Sequence, residues 1–105
     1  MMRRAFRKIP DWAAAPNQNN HRIIRAFLQL QKERGFVCRP ELEARCQDPE
    51  GHADVYVRDF RGNFTSMKTD AGKSHGKVFR DDGYNITICT EVLATLEQYR
   101  SLFEA

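Results

Sequence analysis

The chain has 105 residues, enough for one ordinary domain with its own core. Apolar residues make up 41% and charged residues 30%, which excludes a disordered, solvating chain, and no apolar run approaches membrane-spanning length. The net charge is only +3, so a surface for polyanions has to come from clustering rather than from the total.

Residues 1–19 read as a basic N-terminal arm. Arg3, Arg4, Arg7 and Lys8 fall in the first ten residues with no acid among them. Pro10 and Pro16 bracket the segment and restrict it, while Ile9 and Trp12 are placed to anchor it on the body. An Arg-rich, acid-poor opening also has the composition of a transit peptide; it lacks the apolar core of a secretory signal. After a polar break at Asn17–Asn20, with Asn19 or Asn20 as N-cap, residues 21–34 form the first helix. Ile23, Ile24, Phe27, Leu28 and Gln31 make one stripe, and Gly35 ends it in the left-handed conformation.

Phe36-Val37-Cys38 is a strand stub. Pro40 opens a second helix over 40–47, with Glu41 and Glu43 in its first turn. Pro49 and Gly51 mark a turn. The stretch 53–68 then places Ala53, Tyr56, Val57, Phe60, Phe64 and Met67 on one helical face, and Asp54, Arg58, Arg61, Thr65 and Lys68 on the other. Gly62 weakens that helix by about 1 kcal/mol relative to alanine. Strands around Asp81-Asp82-Gly83 predict a hairpin over 76–89. Thr90 caps a last helix, 91–104, with Val92, Leu93, Leu96, Tyr99, Leu102 and Phe103 on a broad apolar face.

The fold class is therefore α+β: a three-helix core with a two-stranded β-hairpin wing and a C-terminal helix, in a single domain over 20–105. In element order and lengths it resembles a winged helix-turn-helix domain. That resemblance implies a third helix that enters the major groove and a wing that touches backbone or minor groove. By position, the recognition-like helix is 53–68 and the wing is 76–89. The wing tip, Asp81-Asp82-Gly83, is acidic and would repel phosphate, which assigns the backbone contact to the basic segment 68–77 instead.

Charge distribution points the same way. Between 58 and 80 there are six bases against two acids, whereas 81–105 carries five acids against Arg100 alone. The candidate nucleic-acid contacts are Arg58, Arg61, Thr65, Lys68, Lys73, Ser74, His75 and Lys77, with Arg3, Arg4, Arg7 and Lys8 as an auxiliary basic arm. Arginine forks suit guanine edges; lysine, serine and glycine-flanked backbone suit phosphate. The bland alternative is a solvated helix face with Asp54 and Arg58 as an i,i+4 pair. Ala71-Gly72-Lys73-Ser74 has the letters that end a nucleotide-binding P-loop, but Met67 stands where the first glycine is required.

Cys38, Cys46 and Cys89 show no metal spacing and read as buried thiols; His21, His52 and His75 are scattered. No convergent catalytic set is visible, so no enzyme activity, metal or cofactor is expected. Double-stranded DNA is the expected partner of a small cytoplasmic DNA-binding protein, used in regulating transcription or a mobile element. A protein–protein module or accessory domain is the alternative, and the C-terminal helix is a candidate homodimer contact.

Overall fold

The computed structural model describes residues 3–69 and 77–105. The element order is α1 (Arg3–Ala13), α2 (Asn19–Arg34), β1 (Val37–Cys38), α3 (Arg39–Cys46), a 3₁₀ turn (Ala53–Val55), α4 (Phe60–Ser66), β2 (Phe79–Asp81), β3 (Asn85–Ile88), α5 (Thr90–Gln98) and α6 (Arg100–Glu104). This is an α+β architecture. The strands form one antiparallel sheet in the order β1-β3-β2. No described helix is long and apolar enough to cross a membrane.

Helix α2 is the centre of the fold and packs against α1, α3, α4, α6, β1 and the 3₁₀ turn. Ile23, Ile24, Ala26, Phe27, Leu28 and Leu30 are all buried, while Gln31, expected in the stripe, is exposed. Burying each large side chain here is worth about 1.5–3 kcal/mol. Gly35 ends the helix at φ +81°, with its N–H donating to the Gln31 carbonyl at 2.8 Å. The N-cap is Gln18 rather than Asn19 or Asn20, and it makes no side-chain cap bond.

The N-terminal segment is not an extension. Residues 3–13 are helical with Pro10 inside, and Ile9, Trp12 and Ala13 are buried against the body. An interior proline costs a helix about 3 kcal/mol. Burial of Ile9 and Trp12 offsets it, which propensity alone does not register.

The predicted helix 53–68 is also corrected. Ala53–Val55 is a 3₁₀ turn, the backbone is extended at Tyr56, and helix starts only at Phe60, with Val55 and Val57 both fully buried. The Val57 N–H donates to the Cys46 carbonyl at 2.8 Å, tying this extended link to the end of α3. Asp59 then caps α4, its Oδ1 accepting from the Gly62 N–H at 3.2 Å. Asp48 and Gly51 repeat the device at 2.9 Å. A Cβ on either glycine would collide with the carboxylate of that aspartate, so glycine lets each turn close.

The hairpin forms as expected. Phe79 pairs with Ile88, Arg80 with Thr87 and Asp81 with Ile86, and Gly83 turns the chain at φ +101°. Strand β1 joins through Val37 opposite Ile86. The C-terminal segment is two helices, broken at Tyr99 (φ −110°, ψ 7°). The break buries Phe103 against the His21 ring, centroids 4.8 Å apart, and leaves Leu93 and Leu102 exposed. All three cysteines are buried free thiols, and burial pushes the Cys46 thiol up to about 12.

Candidate nucleic-acid interface

A ladder of aromatic rings sets α4 against the hairpin. Phe60 stacks on Phe64 (5.2 Å), Phe64 meets Phe79 (5.4 Å), and Phe79 meets Phe27 of α2 (5.4 Å). All four are buried, so these rings are core and not base-stacking platforms. With its inner face fixed, α4 turns Arg61 and Thr65 outward; Arg58 precedes it in the turn before the helix, and Lys68 follows it. Seven residues make two turns, about 10 Å of helix, so the outward face is much shorter than a helix over 53–68 would present.

Two of these cations are held by acids of other elements. Arg61 Nε lies 2.9 Å from Glu43 Oε2 of α3, although the arginine side chain remains 77% exposed. Lys68 Nζ lies 3.0 Å from Asp81 Oδ2, and its ammonium sits over the Phe64 ring at 5.2 Å. Arg39 of α3 reaches the same Asp81 oxygen at 3.3 Å and covers Phe64 at 4.9 Å. Arg39, Glu43 and Asp81 were absent from the expected site. Only the register of the hairpin, which turns Asp81 inward beside Phe79, brings them together. The expected Asp54–Arg58 pair does not form: Asp54 instead receives Arg25 Nε at 3.3 Å and Gln29 Nε2 at 3.0 Å.

The acids of the wing tip are committed to the hairpin. Asp82 Oδ1 accepts from the backbone N–H groups of Tyr84 (3.0 Å) and Asn85 (2.7 Å), which hold its carboxyl below the usual range. Asp81 Oδ1 accepts from the Gly83 N–H at 2.5 Å; that bond first, then Lys68, lowers its carboxyl in the same direction.

Between the end of α4 and the hairpin lies an open groove of about 710 Å³. Thr65, Lys68 and Thr69 line it from the end of α4, and Lys77, Phe79, Arg80, Asp81, Asp82, Asn85 and Thr87 from the hairpin side. Among the described residues, no carboxylate lies within ion-pair distance of Arg58, Lys77 or Arg80. Lys73, Ser74 and His75 fall outside the described residues. So do the side chains of Arg3 and Arg4, whose backbone lies in α1. Arg7 is exposed, and Lys8 is half-buried in a hollow shared with Asn17, Asn20 and Asn63 of α4, so Lys8 approaches α4. Among the described residues, no group of three His, Cys, Asp or Glu side chains is placed to hold a metal ion. His21 is fully buried, its Nδ1 2.8 Å from the Trp12 carbonyl.

Comparison with known proteins finds no matching family model, no matching curated protein and no matching solved structure.

Proposed function

We propose that this chain is a small duplex-DNA-binding domain of the winged-helix kind, serving the regulation of transcription or of a mobile element. The observation that carries this reading is the groove at the C-terminal end of α4, where Thr65, Lys68 and Lys77 come together, with Arg61 exposed on α4 and Arg58 exposed just before it, while the two nearby aspartates are consumed by the hairpin turn and by Lys68 and Arg39. The order helix, short strand, helix, helix, hairpin supports it. In mechanism, α4 enters a groove with Arg58 and Arg61 leading, and Lys68, Lys73, Ser74, His75 and Lys77 approach phosphate. The N-terminal basic residues add non-specific attraction. Neutralising about six phosphates gives a slope of log K against log salt of roughly −5. Fluorescence anisotropy with a mixed-sequence duplex, repeated across salt concentrations, tests this. A slope near zero, or no binding at low salt, overturns it.

A second reading is a protein–protein module. The engagement of Arg61 by Glu43 and of Lys68 by Asp81 favours it, since both cations are already partnered. Exposed Leu93 and Leu102 on α5 and α6 offer a surface for a homodimer. The double variant Arg58→Glu/Arg61→Glu separates the readings. Loss of duplex binding with the fold intact supports the first, and loss of a copurifying protein supports the second.

A further inference from the structure

We propose that His21 is an acid-sensitive latch for helix α1: its neutral imidazole holds the helix on the body, and its protonated form releases the helix while the rest of the domain stays folded. This inference is independent of the DNA reading.

His21 is fully buried in the first turn of α2, where three helices meet. Its Nδ1 lies 2.8 Å from the carbonyl of Trp12, near the end of α1. A carbonyl only accepts, so Nδ1 carries the hydrogen and Nε2 of the neutral ring is a bare lone pair. That nitrogen is buried without a hydrogen-bond partner among the described residues. The Phe103 ring of α6, 4.8 Å away, carries no hydrogen-bond acceptor. The neutral ring tolerates this place. Protonation would put a charged N–H where nothing accepts it.

The surrounding charges do not relieve that cost. From α2, Arg25 and Arg22 act against a charged ring, and its first turn holds no acid to offset the helix dipole. From α1, Lys8 adds a like charge and Asp11 is exposed. From α6 and α5, Glu104 and Glu97 are both held by Arg100, and Glu91 is exposed. Among the described residues, no carboxylate lies within ion-pair distance of His21.

Helix α1 is the element that such a charge dislodges. It packs against α2, α5 and α6, and the buried side chains described in it are Ile9, Trp12 and Ala13. Pro10 in its interior weakens it as a free helix. When it leaves, α2 keeps its contacts with α3, α4, α6, β1 and the 3₁₀ turn, so the opening is local. Burial sets the docked ring's pKa below 6.5; the Trp12 bond opposes this, and Arg25 and Arg22 add to it. Release returns the ring to water and the ordinary value. The released state therefore takes the proton more readily, docking is strongest above pH 6.5, and falling pH below that favours release by up to tenfold per unit.

The test uses the full chain without denaturant, from pH 7.5 to 5.0. Acrylamide quenching of Trp12 is expected to rise several-fold as pH falls. Hydrogen exchange read by mass spectrometry, corrected for intrinsic rates, should lose protection over residues 3–13 and keep it over α2 and the sheet. His21→Gln, which keeps a donor for the Trp12 carbonyl and does not titrate, should hold quenching at its pH 7.5 level throughout. Should that variant fail to fold, His21→Leu takes its place. Quenching that stays flat in the wild-type chain overturns the inference. So does loss of protection in α2 and the sheet together with α1, or an equal rise in the folded His21 variant.

Discussion

Lys68 Nζ rests 3.0 Å from Asp81 Oδ2, joining the residue that follows α4 to the second strand of the hairpin. Arg39 brings α3 to the same oxygen, so one carboxylate ties three elements together. Its side chain is only 8% exposed, whereas those of Lys68 and Arg39 are 27% and 26% exposed. Removing the buried partner leaves two cations facing each other across a half-wet site, and hydrogen bonds to charged groups are worth about 1.5–3 kcal/mol. Asp81→Asn is therefore expected to destabilise the fold by about 2 kcal/mol, read from urea unfolding at constant m. The same variant releases Lys68, so duplex affinity at a temperature where the variant is folded should rise.

The two Asp-x-x-Gly turns give a prediction about sign. Asp59→Ala removes the cap of α4 and should cost about 1 kcal/mol. Gly62→Ala displaces the same carboxylate and loses the same bond, but it gains about 1 kcal/mol of helix propensity, so its net effect should lie near zero. In an Asp59→Ala background nothing remains to displace, and Gly62→Ala should stabilise by about 1 kcal/mol. This reversal is a double-mutant coupling measurable by chemical denaturation. Gly51→Ala, in a turn without a helix to stabilise, should cost more than Gly62→Ala.

These turns also mark where the sequence was legible and where it was not. The first helix, its Gly35 stop, the strand stub, the second helix and the Asp-Gly hairpin could all be read, because each rests on local signals: periodicity, a left-handed glycine, a proline at a helix start. The stretch 53–68 misled because Tyr56, Val57, Phe60 and Phe64 satisfy helical spacing, and the burial of Val55 beside them is a tertiary fact. Asp59 with Gly62 was the available signal for a helix starting later. Helix α1 escaped because Pro10 argues against it locally and only docking of Trp12 argues for it. Of the candidate site, the outward placement of Arg61 and Thr65 could be read; the acids that hold Arg61 and Lys68, Glu43 and Asp81, come from distant elements and could not.

Trp12 is the only tryptophan in the chain and is 5% exposed, so its fluorescence reports whether α1 is docked. Its emission should be blue-shifted in the folded protein and move to the red on unfolding. Trp12→Ala should cost about 3–5 kcal/mol, the range for deleting a buried aromatic side chain. A deletion of residues 1–13 should be strongly destabilised, where an arm without contacts would leave stability unchanged.

The same indole provides the readout for a pH effect. His21 of α2 is buried against α1 and α6, with Nδ1 at the Trp12 carbonyl, and its buried Nε2 has no hydrogen-bond partner among the described residues. Burial lowers its pKa below the ordinary 6.5; the bond to Trp12 opposes this, and Arg25 and Arg22 add to the lowering. The folded state therefore binds this proton less readily than the unfolded state. Its contribution to stability is whole above the unfolded value of about 6.5 and is lost as pH falls through that value toward the folded one. Urea midpoints followed by Trp12 fluorescence should fall between pH 7.5 and 5.5. The carboxylates of Asp81 and Asp82, lowered in the fold, lose their contribution only nearer pH 4, outside that window. His21→Gln, which keeps a donor for the Trp12 carbonyl and does not titrate, should flatten the dependence. An unchanged dependence in His21→Gln would assign the pH effect to other groups.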